Sequence, residues 1–238
     1  MSRQISTLLA GCAGLLAPVG AMAADWQFEV TPYLWLPTLS SNLDIGPNPP
    51  VDGSGSFLDI LDGAFMITGE ARKDEWSLVG DFIYLDMSND VAKTSFGALA
   101  EWGLGGTMTT VGAGYAFYNS PALRLEAMGA LRFWDVKLET RVLRFRAEAN
   151  REWVDPLVGL RFEAPIGDNF EVSGMANVGG FGGTTEKQWE ALAQIDWNIT
   201  DHLSLAAGYR HLFVDLDDKG LVMDLTLSGP YAALGFNF

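Results

Sequence analysis

Residues 221–238 read LVMDLTLSGPYAALGFNF and end on Phe238. Counted back from the terminus, Phe238, Phe236, Leu234 and Ala232 share one face, while Asn237, Gly235, Ala233 and Tyr231 share the other. Alternation of period two marks a strand, because successive side chains of an extended chain point to opposite sides. A soluble sheet has little use for two phenylalanines on one face of its last three residues. A sheet that closes on itself in lipid does, since its last strand must pair with its first and turn an apolar side to the acyl chains.

The other end of the chain is an export signal. Arg3 supplies a positive start, Ile5 to Gly20 is mostly apolar and small, and Ala21-Met22-Ala23 forms an A-x-A cleavage site before Asp25. Residues 1–23 read as a signal peptide and 24–238 as one barrel domain. Leu9-Ala10-Gly11-Cys12 looks like the box that precedes a lipidated cysteine, but cleavage there would leave an unusually short apolar region. Processing after Ala23 removes Arg3 and the sole cysteine, leaving 14 Lys+Arg against 30 Asp+Glu and a formal charge of −16. The mature chain then has no disulfide and no cysteine-based metal site. Its acidic balance argues against nucleic acid, whose phosphates it would repel.

No downstream run is long enough for a membrane helix, so the 48 % hydrophobic content must sit in a soluble core or on strands facing lipid. The pattern predicts ten strands. The first, 26–39, sets Trp26, Phe28, Val30 and Leu34 against Gln27, Glu29 and Tyr33, with Pro32 accommodated near a seam. Further segments of the same kind begin near residues 60, 76, 105, 122, 154, 170, 189 and 203, and the chain closes with 221–238. Their connections alternate: 73–75, 119–121, 165–169 and 200–202 are short, whereas 40–57, 88–104, 137–152, 180–187 and 215–220 are longer. An even strand number with short turns at one rim and longer loops at the other is the outer-membrane pattern, with both termini periplasmic. Merging weak strand ends or splitting 88–104 would give eight or twelve strands. One irregularity is expected in the last strand. Asp224, Thr226 and Ser228 are polar at even positions that become apolar after residue 230, which predicts a β-bulge at Gly229-Pro230.

A soluble β-sandwich or lipocalin-like barrel would carry Lys, Glu and Thr on its outer face. Here one face is continuously Leu, Val, Phe, Ala and Trp, the other holds glycine, serine, arginine and acidic residues, and aromatics such as Trp76, Phe117 and Trp197 gather near strand ends. That distribution suits a lipid-facing wall with girdles at the headgroups. The expected fold is therefore an all-β, antiparallel transmembrane barrel.

Three stretches carry a resemblance. They are Glu70-Ala71-Arg72 with Trp76 and Asp81-Phe82-Ile83-Tyr84; Gly179-Gly180-Phe181-Gly182 with Trp189-Glu190-Ala191-Leu192-Ala193; and Leu203 to Leu212. Together they resemble a broad family of small, mostly uncharacterised proteobacterial outer-membrane barrel proteins, over most of the mature chain. Asp196-Trp197 departs from the glycine and tyrosine that such proteins tend to have. The terminal strand ending in Phe238 also looks like the signal read by the outer-membrane insertion machinery. The resemblance implies a barrel of the Gram-negative outer membrane, in contact with lipids and lipopolysaccharide and monomeric, and it assigns no catalytic residue.

The inward face is where function could reside: Glu29, Glu70, Arg72, Asp81, Arg124, Glu126, Arg132, Arg161, Glu163, Glu171, Asp196, Arg210 and Asp224. In a narrow lumen, long charged side chains can meet across the axis, so their first expected task is to fill and brace it, giving a structural or surface-associated barrel. The alternative is a narrow channel for ions or small polar solutes; a general diffusion pore needs more strands. A lipid-modifying enzyme would have to use His211, with Ser228 and Asp215 or Asp224 beside it, since His202 falls in a turn at the opposite rim. No compact pattern supplies nucleophile, base and orienter together, so no catalytic residue is expected. Asp215, Asp217 and Asp218 lack the spacing of a calcium loop and read as a solvated acidic loop. Gly105-Gly106 and Gly179 to Gly183 are followed by no helix or lysine that would make them phosphate cradles. No cofactor or metal is expected.

Overall fold

The computed structural model describes residues 26–45, 51–53, 61–93, 99–142, 145–218 and 221–238. Residues 1–23, expected to be a signal peptide, and Cys12 with them, lie outside the described residues. Alternating side chains and short turns produce twelve strands: β1 (Gln27–Trp35), β2 (Thr38–Ile45), β3 (Val51–Gly53), β4 (Leu61–Lys73), β5 (Trp76–Lys93), β6 (Leu99–Ser120), β7 (Leu123–Val142), β8 (Phe145–Ile166), β9 (Phe170–Gly179), β10 (Thr185–Thr200), β11 (Leu203–Asp218) and β12 (Leu221–Asn237). Ten of them, β1 and β4 to β12, pair antiparallel in chain order and close where β1 meets β12, Glu29 opposite Asn237 and Trp35 opposite Tyr231. The Phe238 amide donates to the Phe28 carbonyl at 2.9 Å, so the last residue is part of the closure. No helix among the described residues is long and apolar enough to cross a membrane. Strands make the crossing.

The start of β1, Phe238 and the turns at 74–75, 121–122, 167–169 and 201–202 share one rim, called here the terminal rim. Asp74 takes φ 54° in the two-residue turn between β4 and β5, a left-handed position that aspartate tolerates. At the far rim the long connections expected from sequence are mostly strand. β5 runs to Lys93, β6 starts at Leu99, β7 and β8 pair as far as Val142 with Phe145, β11 reaches Asp218, and β2 and β3 occupy part of 40–57. Of the segment expected around Phe96 to Trp102, residues 99–102 belong to β6 and 94–98 lie outside the described residues. The charged stretch 137–151 was expected to be loop because its alternation of apolar and polar fails. The strands run through it with unbroken pairing.

β12 corrects a second expectation. Its register against β11 runs unbroken from Leu203 opposite Phe236 to Asp218 opposite Leu221. Leu227, Gly229, Tyr231, Ala233 and Gly235 are all buried, so odd residues face inward along this whole stretch. There is no bulge at Gly229-Pro230. The irregularity is in the partner strand, which breaks between β1 and β2 at Leu36-Pro37 and resumes along β12 with Thr38 opposite Ser228. The Leu36 amide still reaches the Pro230 carbonyl at 3.0 Å. Asp224, expected inside, consequently faces outward.

The two faces of the wall exchange character along its height. Nearer the terminal rim the outside is apolar, with Phe28, Leu78, Val158, Leu160 and Ile195 exposed, and the inside is charged. Toward the far rim the outside turns polar. There the inside becomes a buried cluster that includes Trp35, Ile83, Met108, Trp134, Leu212 and Val214. The first arrangement suits lipid and the second suits water.

Candidate functional site in the barrel lumen

Below the apolar cluster, inward side chains of β1 and β4 to β11 fill the lumen with two linked groups of charges. The group nearer the terminal rim is built on Glu70, Arg72, Glu126, Arg161 and Glu163. Arg161 donates to Glu70 at 2.8 Å and to Glu126 at 3.3 Å. Arg72 bonds both Glu70 and Glu163, reaching Glu163 with a second nitrogen at 2.7 Å. Arg124 reaches Glu126 at 3.4 Å, and the Ser77 hydroxyl donates to the same carboxylate at 2.7 Å. Gly114, opposite Ser77 in register, leaves the space that the Glu126 carboxylate occupies. Glu29 accepts from Thr31 at 2.7 Å, and Asp196 from Ser173 at 2.6 Å and Gln194 at 2.7 Å.

The second group lies deeper and is almost sealed from solvent. Glu190, 0 % exposed, is shared between Arg132 and Arg210. Arg132 also donates to Thr110 and Gln188, each at 3.0 Å. Arg210 donates to the Tyr33 hydroxyl at 2.9 Å and stands 4.9 Å over the Trp35 ring. Tyr33 and Thr68 in turn donate to Asp81 at 2.7 and 2.9 Å. Asp155 gathers four donors on one oxygen: Trp134 at 2.9 Å, Trp153 at 3.1 Å, and Thr185 and Gln188 at 2.8 Å. The stacked rings of Trp134 and Trp153, with centroids 5.3 Å apart, join this polar floor to the apolar cluster above. A charge removed from water is tolerable only when its partners and hydrogen bonds replace hydration. Glu70, Glu126 and Glu190 meet that requirement at both oxygens.

Of the charged residues expected inside, all but Asp224 lie on the inward face, and most join one of the two groups. Two carboxylates central to the deeper group, Asp155 and Glu190, are absent from that expected set, as are the uncharged Tyr33, Thr68, Thr110, Asn177, Thr185 and Gln188 and the two tryptophans that complete the network. Their signal is the same inward phase as Arg132 or Arg161. His202 sits in its terminal-rim turn, 3.1 Å from the Asn237 carbonyl. His211 and Ser228 meet on the outer wall, Nδ1 to Oγ at 2.5 Å, away from the lumen. Asp215 stands beside Lys187 at 3.2 Å on that wall, and the side chains of Asp217 and Asp218 are outside the description. Gly180 and Gly182, with φ 93° and 82°, shape the tight passage from β9 to β10. Among the described residues no group of three or more His, Cys, Asp or Glu is arranged to hold a metal.

No family model and no curated protein matches the chain. Solved structures do. The crystal structure of the outer membrane protease OmpT from Escherichia coli is similar at a TM-score of 0.60 and 10 % identity, covering 91 % of this chain and 98 % of that one. The transport unit of the autotransporter AIDA-I from Escherichia coli gives 0.48 at 9 % identity, covering 94 % of each chain. The translocator domain of autotransporter NalP from Neisseria meningitidis gives 0.46 at 14 %, covering 90 % of this chain and 88 % of that one. Identity this low speaks for fold alone, and of the three only the first is near enough to do so. With an apolar outer wall, a closed antiparallel ring of ten strands and a charged interior, the chain has the fold of the bacterial outer-membrane β-barrels.

Proposed function

We propose that the protein is a non-conducting barrel of the Gram-negative outer membrane with a structural or surface-associated role. Its charges brace the lumen, and its far-rim hairpins stand outside the cell. One observation carries this reading: the lumen is occupied twice over. Arg132, Glu190 and Arg210 are at most 3 % exposed, and Trp35, Leu212 and Val214 above them are 1 % exposed. A path for ions needs hydrated polar surface along its length, and buried apolar side chains above the charges support a lumen without one. In this reading the terminal rim is periplasmic, the apolar band meets outer-membrane lipids and lipopolysaccharide, the chain acts as a monomer, and the strand ending in Phe238 is presented to the insertion machinery.

The test is planar-bilayer conductance of the refolded mature chain, beside a variant carrying Arg124→Ala and Arg210→Ala. Silence in both is expected. A steady, ion-selective current in the wild type, altered in the variant, would overturn the reading in favour of a narrow channel. Orientation is tested separately by a peptide tag placed between Val142 and Phe145, which should be labelled on intact cells.

A further inference from the structure

The outer wall carries a polar pair that neither the lumen nor the membrane anchor uses. His211 of β11 and Ser228 of β12 are cross-strand partners, with Ser228 Oγ 2.5 Å from His211 Nδ1. The imidazole also stacks on Trp189 of β10, with ring centroids 4.2 Å apart. We propose that Ser228 and His211 act as nucleophile and general base in cleaving acyl esters of membrane lipids at the boundary between hydrocarbon and headgroups.

Three observations support this. The first is chemical. A serine hydroxyl is a weak nucleophile unless a base within hydrogen-bond reach takes its proton, and here that reach is met. With the imidazole proton on Nε2, Ser228 donates its hydroxyl hydrogen to Nδ1. The second is position. On the same two strands the outer face toward the terminal rim is Tyr209, Ala207 and Leu205 on one and Pro230, Ala232 and Leu234 on the other. Toward the far rim it passes through Phe213, whose ring lies under the Lys187 ammonium, to Asp215, paired with the same lysine, and through Thr226 to Asp224. The pair sits where that change occurs, and lipid esters lie between acyl chains and headgroups. The third is orientation. Trp189 covers one face of the imidazole and holds its plane, a task that other sites give to a carboxylate. Asp215 and Asp224 stand four residues further along their strands, roughly 13 Å away, so the pair works without them.

The step balances without a co-reactant other than water. Ser228 Oγ bonds to the acyl carbonyl carbon as its proton passes to His211. The ester C–O bond then breaks, and the departing alcohol portion of the lipid leaves with that proton. Water adds to the acyl carbon, His211 accepts its proton and returns it to Ser228 Oγ, and the fatty acid is released. Which leaflet is served depends on the proposed orientation of the barrel; the chemistry does not.

The test uses the refolded mature protein in phospholipid–detergent micelles, with a fluorophosphonate probe and mass spectrometry to locate the adduct. Ser228 should be labelled at least tenfold faster than Ser120 at the terminal rim. Label at Ser228 should vanish in Ser228→Ala and slow at least tenfold in His211→Ala, and fatty-acid release from the micelles should fall with it. Both residues lie on the outer wall, so the variants should retain the wild-type circular dichroism spectrum. Labelling of Ser228 no faster than Ser120, or unaffected by His211→Ala, would overturn the proposal. So would an adduct at Ser228 with no fatty acid released.

Discussion

Glu70 on β4 and Arg161 on β8 meet at 2.8 Å across the lumen, although three strands stand between them in the wall. Arg72 to Glu163 makes a second chord between the same strands, Arg132 to Glu190 joins β7 to β10, and Arg210 to Asp81 joins β11 to β5. Chords of this kind tie together parts of the wall that backbone pairing cannot connect. The barrel is therefore held both by its hydrogen-bond ladder and by its contents.

The deepest chord should be the most costly to cut. Glu190→Ala would leave Arg132 and Arg210 buried without their shared carboxylate, and removing one partner of a buried pair costs about 3–5 kcal/mol. Urea unfolding of the protein in lipid vesicles should show a loss of this size. The same substitution at Asp224, on the outer wall, should change stability by about 0.5 kcal/mol or less.

The exchange of faces along the wall predicts opposite responses to similar changes. Leu160, exposed within the apolar band, should tolerate arginine poorly, at a cost of about 2–4 kcal/mol near the bilayer midplane. Thr226, also outward but beyond the band, should accept arginine at a cost of about 0–1 kcal/mol. Leu212→Ala, inside the apolar cluster, should cost about 2–5 kcal/mol through the cavity it leaves. Equilibrium unfolding of the three variants in one lipid system checks the set. Equal penalties at Leu160 and Thr226 would place the membrane boundary elsewhere.

Gly229 should resist substitution for a reason local to the strand break. A Cβ there would lie 2.7 Å from Pro37 Cα and 2.6 Å from the Leu36 carbonyl carbon, both of them backbone. Gly229→Ala must push the broken strand away and should cost about 1–3 kcal/mol. Gly129, whose added Cβ meets nothing within 4 Å, is the matched control and should be nearly silent.

Deleting Phe238 removes the 2.9 Å bond to the Phe28 carbonyl and one outward aromatic at the closure. Refolding in vitro should be slower, with a larger fraction of unfolded chain at equilibrium. In cells the amount of folded, heat-modifiable barrel in the outer-membrane fraction should fall. An unchanged amount would remove the role proposed for this residue in insertion.

Much of the wall was legible residue by residue. The phases of Phe28, Leu78, Val158 and Trp197 outward, and of Glu70, Asp81, Arg132 and Arg210 inward, follow from alternation alone. So does strand number, because short turns such as Asp74-Glu75 are local. The errors had a common source. Polar residues where apolar ones are expected make Asp224, Thr226 and Ser228 look like a slip of phase and residues 137–151 look like loop. In both places the strand keeps its register with its neighbours. The partners of Arg161 or Glu190 could not be read from the chain.

Side-chain direction along an extended backbone is set by the residue's own place in the alternation, and the sequence by itself therefore determined the face of most strand residues, Asp224 excepted. Closure, stagger and depth belong to the ring as a whole. Only the tertiary structure decided that Glu70 lies opposite Arg161, that Trp35 and Leu212 are buried above the deeper charges, and that Ser228 meets His211 on the outer wall.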